Sequence, residues 1–218
     1  MIPRAVLWDV DGTLIDSEEY HWQSWHDAIA AKGRTVTHAE FKATFGMRND
    51  AILRIFFGPD ISPSEAANIA DDKEQRYRDI VLTHGIELLP GVRRWLDRLT
   101  AGGWKQAIAS SAPMLNIEAI LTALKMTAQF DAIVSAEDVV NGKPDPQVYL
   151  VAAERVAVPP THCIVVEDAP AGIEGARRAN MRSIGVGAHH ATLPADLSVR
   201  TLAELDDEAF ERLISGSE

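Results

Sequence analysis

The strongest constraint on the fold is an alternation of short apolar runs with stretches of helical spacing. Each run is short and apolar enough to be a strand covered on both faces, and such strands typically form a parallel sheet flanked by helices. The candidate strands are residues 5–8, 106–109, 132–134, 164–166 and 183–186. The candidate helices are residues 92–101, 114–124, 146–156 and 170–179. The pattern therefore predicts an α/β core built on a parallel sheet.

One region interrupts this alternation. Between residues 16 and 89 the spacing is helical throughout, without a convincing strand. The string Ser62-Pro63-Ser64-Glu65 predicts a helix start there, with serine at the N-cap, proline at the first helical position and glutamate at the third. We therefore expect two domains, an α/β core of residues 1–15 and 90–218 and an inserted helical domain of residues 16–89. The acidic, amphipathic tail from about Leu202 predicts a surface helix.

Composition excludes several classes of function. The 218 residues include 32 acidic and 21 basic ones, for a net charge of −11, and no Lys/Arg cluster could neutralise a run of phosphates, so we expect no nucleic-acid partner. No apolar run approaches the roughly 20 residues needed to cross a bilayer, so we expect no membrane association. The single cysteine, Cys163, cannot form an internal disulfide, and an acidic residue follows the start too early for a signal peptide. We expect a cytoplasmic protein that is a monomer or a weak homodimer.

Polar residues follow four of the predicted strands, at the edge where the loops of a parallel sheet converge. In chain order they are Asp9-Val10-Asp11-Gly12-Thr13, Ser110-Ser111, Gly142-Lys143-Pro144 and Glu167-Asp168. An aspartate can attack a phosphate dianion only where a cation and a lysine offset the repulsion between them. Carboxylate oxygens also suit Mg²⁺. The set therefore indicates phosphoryl chemistry that uses Mg²⁺.

Each of these motifs taken alone has a structural interpretation as well. The string 9–13 could form an Asx turn, and Lys143 could be a solvated surface lysine. Ser110 could cap the helix that begins near residue 113, a role that is compatible with anion binding. Two adjacent carboxylates at 167 and 168 could be a solvated strand end, although they are costly after an apolar run unless a positive charge is near. The order of all four motifs favours the chemical interpretation.

Asp9-Val10-Asp11-Gly12-Thr13-Leu14, Ser110, Lys143 and Glu167-Asp168, in this order, resemble the four motifs of the haloacid dehalogenase superfamily, whose members are mostly phosphatases. The resemblance spans nearly the whole chain. The insert directly after the first motif resembles the cap of the subgroup containing phosphoglycolate phosphatases, sugar-phosphate phosphatases and β-phosphoglucomutase. The resemblance implies a Rossmann-like parallel sheet core with an inserted α-helical cap that closes over a small phosphorylated metabolite.

The resemblance also implies roles for the acidic residues. Asp9 would be the nucleophile that forms an aspartyl-phosphate, and Asp11 would be the general acid to the leaving group and later the base for water. The side chains of Asp9 and Asp168, with the backbone carbonyl of Asp11, would bind Mg²⁺. The dehalogenases of the superfamily lack an acid at the position of Asp11, so its presence favours phosphoryl chemistry over cleavage of a carbon–halogen bond.

The remaining motif residues are implied to handle the phosphoryl group. Ser110, Ser111 and Lys143 would hold the group during transfer. Glu167 would support either the metal or Lys143 from beside the metal ligands, and Gly12 is a further supporting residue.

Two residues of the insert are further candidates for substrate binding. The string Asp16-Ser17-Glu18-Glu19-Tyr20-His21, followed by Trp25, resembles the cap entrance of β-phosphoglucomutases, in which the histidine lies near the active site. His21 is therefore a candidate, and a packed or solvated histidine is the alternative. Gly46-Met47-Arg48-Asn49 resembles the specificity loop of such caps, so Arg48 is the second candidate, with a surface arginine as its alternative.

Three functions are consistent with these motifs. The first is a Mg²⁺-dependent phosphatase, and the second is a mutase of the β-phosphoglucomutase type, which returns the phosphoryl group to the sugar. The mutase arginine stands one place further along, where this chain has Asn49, and the mutase pattern after the second motif is replaced by Ser110-Ser111-Ala112-Pro113-Met114. Both departures favour the phosphatase. The third is a non-catalytic phosphometabolite-binding protein, which is disfavoured because every motif position carries its reactive residue.

Overall fold

The structure, a computed structural model, describes residues 3–44 and 47–215. Strand β1 (Ala5–Trp8) is followed by helices α1 (Glu18–Ala30), α2 (His38–Thr44), α3 (Asn49–Phe57) and α4 (Pro63–His84). Next come α5 (Val92–Ala101), β2 (Lys105–Ala109), α6 (Met114–Ala123), β3 (Ala132–Val134), α7 (Gln147–Arg155), β4 (Cys163–Glu167), α8 (Pro170–Arg178) and β5 (Arg182–Gly185). The last elements are β6 (Leu197–Ser198) and α9 (Ala209–Ser215). Short 3-10 turns span Ala136–Asp138, Pro160–His162, His190–Thr192 and Leu202–Glu204.

The chain folds as two compact units. The core unit comprises residues 1–16 and 87–218, and the helical unit comprises residues 17–86. Within the core unit, the segments at which the chain leaves for the insert and returns from it pair with each other. The Leu89 amide donates to the Leu14 carbonyl at 2.9 Å, and Ile15 forms an antiparallel bridge with Leu88. The assignment of residues 16–89 as a separate cap domain stays a prediction.

A parallel sheet forms the centre of the core unit. Across the described residues it has six strands in the order β3-β2-β1-β4-β5-β6, and every neighbouring pair is parallel. Leu7 in β1 pairs with Ala107 on one side and with Val165 on the other. The predicted α/β class with a parallel sheet is therefore confirmed. Because the strands are parallel, their carboxyl ends lie along one edge of the sheet.

The strand bounds agree closely with the apolar runs. Strands β1 and β3 have the predicted bounds, β2 differs from its bounds by one residue at one end, and β4 and β5 differ by one residue at each end. All residues of β1 and β4 are buried, because helices cover both faces of the sheet. Helix α7 packs against β1, β2 and β3, and α8 packs against β4 and β5. Strand β6 was not predicted, since its two residues carry no apolar run.

The C-terminal tail is anchored in the core unit rather than lying loosely on its surface. Its helix begins only at Ala209, and Phe210 is buried with its ring centroid 4.7 Å from that of Trp95. The Trp95 indole nitrogen donates to the Leu202 carbonyl at 2.9 Å. The predicted tail helix is thus shorter than expected, and its apolar face completes the core beside α5.

The helical unit contains α1 to α4, as the spacing predicted, and no strand occurs in its described part, 17–44 and 47–86. Helices α1 and α4 pack along each other. Their contact encloses a hydrophobic cluster that includes Trp25, Ile29, Phe41, Leu53 and Ile69. The Ser62 hydroxyl accepts a hydrogen bond from the Glu65 amide at 3.2 Å, so the predicted N-cap of α4 is confirmed. Across the residues described in both units, no helix combines the length and apolar character required to span a bilayer.

An ion pair joins the loop after β3 to α7 and provides a test of the core packing. Asp138 accepts hydrogen bonds from the Arg155 guanidinium and from the Ser135 amide, the latter at 2.8 Å. The bond from Arg155, followed by that from the Ser135 backbone, lowers the pKa of Asp138 from its ordinary 3.8 to about 2. A lowered pKa means that the carboxylate stabilises the fold above about pH 4, and that this stabilisation is lost as the pH falls through about 2.

We expect Asp138→Asn to lower the free energy of unfolding by about 1–2 kcal/mol at pH 7. The difference between this variant and the wild type should shrink progressively below pH 4. Urea unfolding monitored by circular dichroism at several pH values measures it. The exposed Asp71 supplies the control, since Asp71→Asn should change stability by less than about 0.5 kcal/mol. Equal stability of Asp138→Asn and the wild type at pH 7 would contradict the assignment.

Candidate active site

Two neighbouring strands place the two acidic pairs side by side. Asp9 follows β1, while Glu167 ends β4 and Asp168 comes next. The Asp9 amide donates to the Val166 carbonyl at 3.1 Å, so the β1–β4 ladder continues up to the first catalytic candidate. One carboxylate oxygen from each of Asp9, Glu167 and Asp168 lies within 4.8 Å of the others. The predicted meeting of the first and last motifs is therefore present in the fold.

Lys143 links the two acidic pairs. Its Nζ donates to Asp9 Oδ1 at 2.6 Å and to Glu167 Oε1 at 2.6 Å, although Asp9 and Lys143 are 134 residues apart in sequence. The three side chains are nearly inaccessible, with exposed fractions of 9% for Lys143, 10% for Asp9 and 2% for Glu167. A lysine that bridges two buried carboxylates is not a solvated surface residue. Of the two supporting roles implied for Glu167, this contact matches the one toward Lys143.

The charges at this edge of the sheet do not balance. Burial, together with the neighbouring carboxylates, raises the pKa of Asp9 to about 7 and that of Asp168 to about 8, even though Lys143 opposes the shift. Burial lowers the pKa of Lys143, but attraction from Asp9 and Glu167 outweighs it and raises that pKa well above its usual value. Three carboxylates thus face one ammonium group. A second positive charge at this position would stabilise their ionised forms.

The donor set fits Mg²⁺. Clustered carboxylate oxygens are hard ligands of the kind that this ion prefers, and one or two protein carboxylates typically hold it beside a substrate phosphate. The cavity for Asp168 also depends on a glycine: a Cβ added to Gly12 would lie 2.1 Å from Asp168 Oδ2. The backbone between Asp11 and Thr13 therefore passes directly against the Asp168 carboxylate. Asp9, Asp168 and the Asp11 backbone are the groups that could hold the ion.

Asp11 lies on a tight turn after β1. The Gly12 amide donates to the Ile15 carbonyl at 2.8 Å, and the Leu14 amide donates to the Val10 carbonyl at 2.9 Å. Gly12 has φ +80°, a left-handed conformation that glycine adopts without strain. Asp11 is half-buried at the start of this turn. The turn explains why the motif needs a glycine directly after the second aspartate.

Ser110 and Ser111 follow β2, the strand next to β1. Ser110 is 1% exposed, and its Oγ accepts a hydrogen bond from the Ala112 amide at 3.0 Å. The alternative role of Ser110 as a helix cap is wrong, because the N-cap of α6 is Pro113 and no side chain caps it. Ser111 is exposed. The structure thus places both serines at the same edge of the sheet as Asp9, and Ser110 holds the turn that follows β2.

His21 lies in the helical unit, within a buried polar cluster. Its ring stacks on Tyr77 with centroids 4.2 Å apart, and its Nδ1 lies 2.9 Å from Lys73 Nζ. Lys73 Nζ also lies 2.9 Å from Glu74 Oε1. Because the lysine ammonium can only donate, Nδ1 of His21 is an acceptor in this arrangement. His21 is therefore a packed histidine with a defined orientation, and its role in substrate binding stays a prediction.

Arg48 and Asn49 occupy different environments at the start of α3. The Arg48 side chain is 72% exposed, with its Nε 3.5 Å from Asp50 Oδ1. The Asn49 amide nitrogen donates to Glu74 Oε1 at 2.8 Å, so Asn49 joins the cluster around Lys73. Gly46, part of the string that suggested a specificity loop, lies outside the described residues. The substrate-binding role of Arg48 stays a prediction.

Sequence reasoning missed four residues that contact the candidates. Tyr149 and Gly172 lie against Glu167, whereas Lys73 and Glu74 lie beside His21 and Asn49. In the sequence, Lys73 and Glu74 look like charged residues on the solvated face of a helix, so nothing marks them as buried. The one available signal was Gly172, since glycine inside a helix weakens it and usually has a packing reason.

Comparison with known proteins agrees with this geometry. A family model described as haloacid dehalogenase-like hydrolase matches residues 6–186. Hexitol phosphatase B from Escherichia coli (strain K12) is 32% identical over 216 residues, which cover 92% of this chain and 93% of that protein. Beta-phosphoglucomutase from Bacillus subtilis (strain 168) is 32% identical over 208 residues, covering 93% and 91%. A solved structure of a CbbY mutant from Rhodobacter sphaeroides, in complex with xylulose-(1,5)bisphosphate, has a TM-score of 0.87 and 27% identity, covering 96% and 99%.

These matches extend over both units and all four motifs. The family model begins within β1 and ends directly after β5, so it includes the two acidic pairs and the lysine that joins them. The likeness to a phosphatase and to a mutase is equal in identity, at 32% each. The chain therefore belongs to the haloacid dehalogenase-like hydrolase family, and it is an enzyme of the subgroup that contains phosphatases and phosphomutases, as its four motifs predicted.

Proposed function

We propose that this enzyme is a Mg²⁺-dependent phosphatase that hydrolyses a small phosphorylated metabolite, such as a sugar phosphate or a phosphoglycolate-like acid. The observation that carries the proposal is the buried bridge from Lys143 to Asp9 and Glu167, with Asp168 adjacent. This arrangement holds a carboxylate nucleophile beside a cation, which is what attack on a phosphate dianion requires. The solved complex of one relative with xylulose-(1,5)bisphosphate supports the substrate class.

Asp9 is the proposed nucleophile. Its Oδ1 is engaged by Lys143, which leaves Oδ2 to attack the phosphorus atom. As the new bond forms, the bond from phosphorus to the leaving oxygen breaks, and an aspartyl-phosphate results. Lys143 and the Ser110 hydroxyl then face the charge that develops on the phosphoryl oxygens, with Ser111 beside them.

Asp11 is the proposed proton carrier. Its carboxyl group gives a proton to the leaving oxygen in the first step. In the second step its carboxylate takes a proton from the water that attacks the aspartyl-phosphate. Cleavage of the bond between phosphorus and Asp9 then releases inorganic phosphate and restores both aspartates. One residue that reverses its role accounts for both half-reactions.

Asp9, Asp168 and the Asp11 carbonyl are the proposed holders of Mg²⁺. When bound, the ion supplies neutralisation of the charge on the phosphoryl group and on the facing carboxylates. Glu167 would keep its bond to Lys143 and support the lysine and the ion without binding the ion itself. The charge imbalance of three carboxylates against one ammonium is the reason to expect that the ion is needed.

The helical insert, residues 16–89, is proposed to act as the cap that selects the substrate. His21 and Arg48 are its candidate binding residues.

We further propose that the enzyme acts in the cytoplasm as a monomer or a weak homodimer, with no nucleic-acid or membrane partner.

Purified protein with Mg²⁺ should release phosphate from members of a panel of hexose, pentose and polyol phosphates and phosphoglycolate. Removal of the ion with EDTA should lower this rate by on the order of 100-fold, and added Mg²⁺ should restore it. A malachite-green assay measures the phosphate. Release from no member of the panel would overturn the proposal, and equal rates with and without EDTA would overturn the part that concerns Mg²⁺.

A mutase of the β-phosphoglucomutase type is the second candidate, favoured by the ordered His21 cluster. Asn49 argues against it, because it stands where the mutases have an arginine and is engaged with Glu74. Incubation with β-glucose 1-phosphate and a bisphosphate primer separates the two candidates. We expect free phosphate from the phosphatase, whereas glucose 6-phosphate as the main product would indicate the mutase.

A further inference from the structure

A buried tyrosine, Tyr149, contacts the Glu167 carboxylate that binds Lys143. Tyr149 is fully buried on α7, and its hydroxyl donates to Glu167 Oε1 at 3.3 Å. We propose that Tyr149 is a positioning residue, whose hydroxyl fixes the Glu167 carboxylate in the orientation that holds Lys143 against Asp9. The inference rests on the proposed phosphatase function, because it assigns Tyr149 to the machinery of that reaction.

The Glu167 carboxylate has a fixed partner on each oxygen. Oε1 accepts from Lys143 Nζ at 2.6 Å and from the Tyr149 hydroxyl, while Oε2 accepts from the Ala169 amide at 2.8 Å. A carboxylate bonded in this way cannot rotate without breaking at least one of these bonds. Since Glu167 is only 1% exposed, water cannot readily replace a lost partner.

Helix α8 closes the remaining space around this carboxylate. A Cβ on Gly172 would lie 1.9 Å from Glu167 Oε1, and a Cβ on Gly175 would lie 3.0 Å from Tyr149 Cε2. The two glycines are three residues apart, so they lie on one face of the helix. Glycine costs about 1 kcal/mol relative to alanine in a helix interior. This face of α8 is therefore shaped to receive Glu167 and Tyr149 together.

The hydroxyl and the ring of Tyr149 make separable contributions. The ring fills space in the core and lies with its centroid 5.3 Å from Lys143 Nζ. A phenylalanine would keep both of these contacts and lose the interactions of the hydroxyl with Glu167 Oε1 and with Lys143. Glu167 then keeps its bonds from Lys143 and the Ala169 amide but loses one of its three restraints, so we expect the carboxylate to tilt and Lys143 to shift relative to Asp9. Such a shift affects the reacting geometry, so the loss should appear in kcat rather than in KM.

The first experiment compares Tyr149→Phe with the wild type. We expect kcat for the best substrate of the panel to fall about tenfold, with KM within twofold and the melting temperature nearly unchanged. Tyr20→Phe is the matched control, because its hydroxyl also donates to one acceptor, the Gly85 carbonyl, in the helical unit. A purely structural tyrosine predicts unchanged kcat in Tyr149→Phe, and that result would overturn the inference.

A second variant tests whether Tyr149 acts through Glu167. In a Glu167→Gln background, adding Tyr149→Phe should change kcat by less than about twofold, because the oriented carboxylate is already gone. A full additional tenfold loss would show that Tyr149 acts by another route. If Glu167→Gln does not fold, the comparison of Tyr149→Phe with the wild type decides alone whether Tyr149 is a positioning residue.

A spectroscopic readout keeps the inference independent of turnover. Heteronuclear NMR of the Lys143 ammonium group should show proton exchange at least about tenfold faster in Tyr149→Phe than in the wild type or Tyr20→Phe, since a mobile Glu167 protects it less. Unchanged exchange would overturn the inference even in an enzyme without phosphatase activity. An inactive wild type with accelerated exchange in the variant would instead overturn the proposed function alone.

Discussion

Asp9→Asn is expected to lower the turnover of phosphate esters by on the order of 10⁴-fold or more, while leaving the fold intact. An amide oxygen is a poor nucleophile toward phosphorus, so no aspartyl-phosphate can accumulate. The carbonyl oxygen of asparagine can still accept from Lys143, which bonds to Asp9 Oδ1 at 2.6 Å. Because one of three facing carboxylates is lost, the melting temperature should be equal to or above that of the wild type.

The measurement pairs steady-state turnover with mass spectrometry of the intact protein during reaction. The wild type should show a species heavier by one phosphoryl group, and Asp9→Asn should not. Asp97→Asn, at an exposed position on α5, should behave as the wild type in both assays. Turnover of Asp9→Asn within tenfold of the wild type would remove Asp9 from its proposed role.

Gly12→Ala is expected to weaken Mg²⁺ binding by about 10- to 100-fold and to lower activity at limiting Mg²⁺ in the same proportion. The new methyl group would lie 2.1 Å from Asp168 Oδ2, so the carboxylate must leave its position in the acidic cluster. The positive φ of +80° adds strain of about 1–2 kcal/mol. Isothermal titration with Mg²⁺ measures the affinity without any substrate.

Gly103→Ala separates the two effects of that substitution. Gly103 also has a positive φ, +73°, but a Cβ there meets nothing within 4 Å. This variant should lose similar stability and keep the Mg²⁺ affinity of the wild type. If both variants bind Mg²⁺ equally well, then Asp168 does not hold the ion in the proposed way.

The sheet was predictable because its central strands carry their own signal. The runs that became β1 and β4 are apolar on both faces, and burial in the centre of a parallel sheet selects for that composition. Strand β6 has only Leu197 and Ser198, so no run marks it. In the sequence of the tail, Phe210 stands among acidic residues, so no apolar pattern marks it as buried. It is buried because it packs against Trp95, which is distant in sequence.

The acidic pairs were predictable because each stands directly after a predicted strand, and parallel strands bring such positions to one edge. Lys143 lies further along the loop after β3 and was identified from the resemblance of its motif. Tyr149 and Gly172 could not be found in this way. Their contacts with Glu167 depend on how α7 and α8 pack beside β4, which no local pattern records. The bond between Lys73 and His21 likewise joins α4 to α1 across 52 residues, and only the packed helices bring the two side chains together.

The pairing of Leu14 with Leu89 has a consequence for how this architecture can diversify. The two segments of the core from which the insert leaves and to which it returns are hydrogen-bonded to each other, with the Leu89 amide 2.9 Å from the Leu14 carbonyl. The ends of the inserted segment are therefore already held together by the core. Closing a longer segment between fixed ends costs free energy that grows only with the logarithm of its length. The inserted segment can therefore be exchanged or enlarged during evolution while the core unit that carries Asp9 and Lys143 stays unchanged.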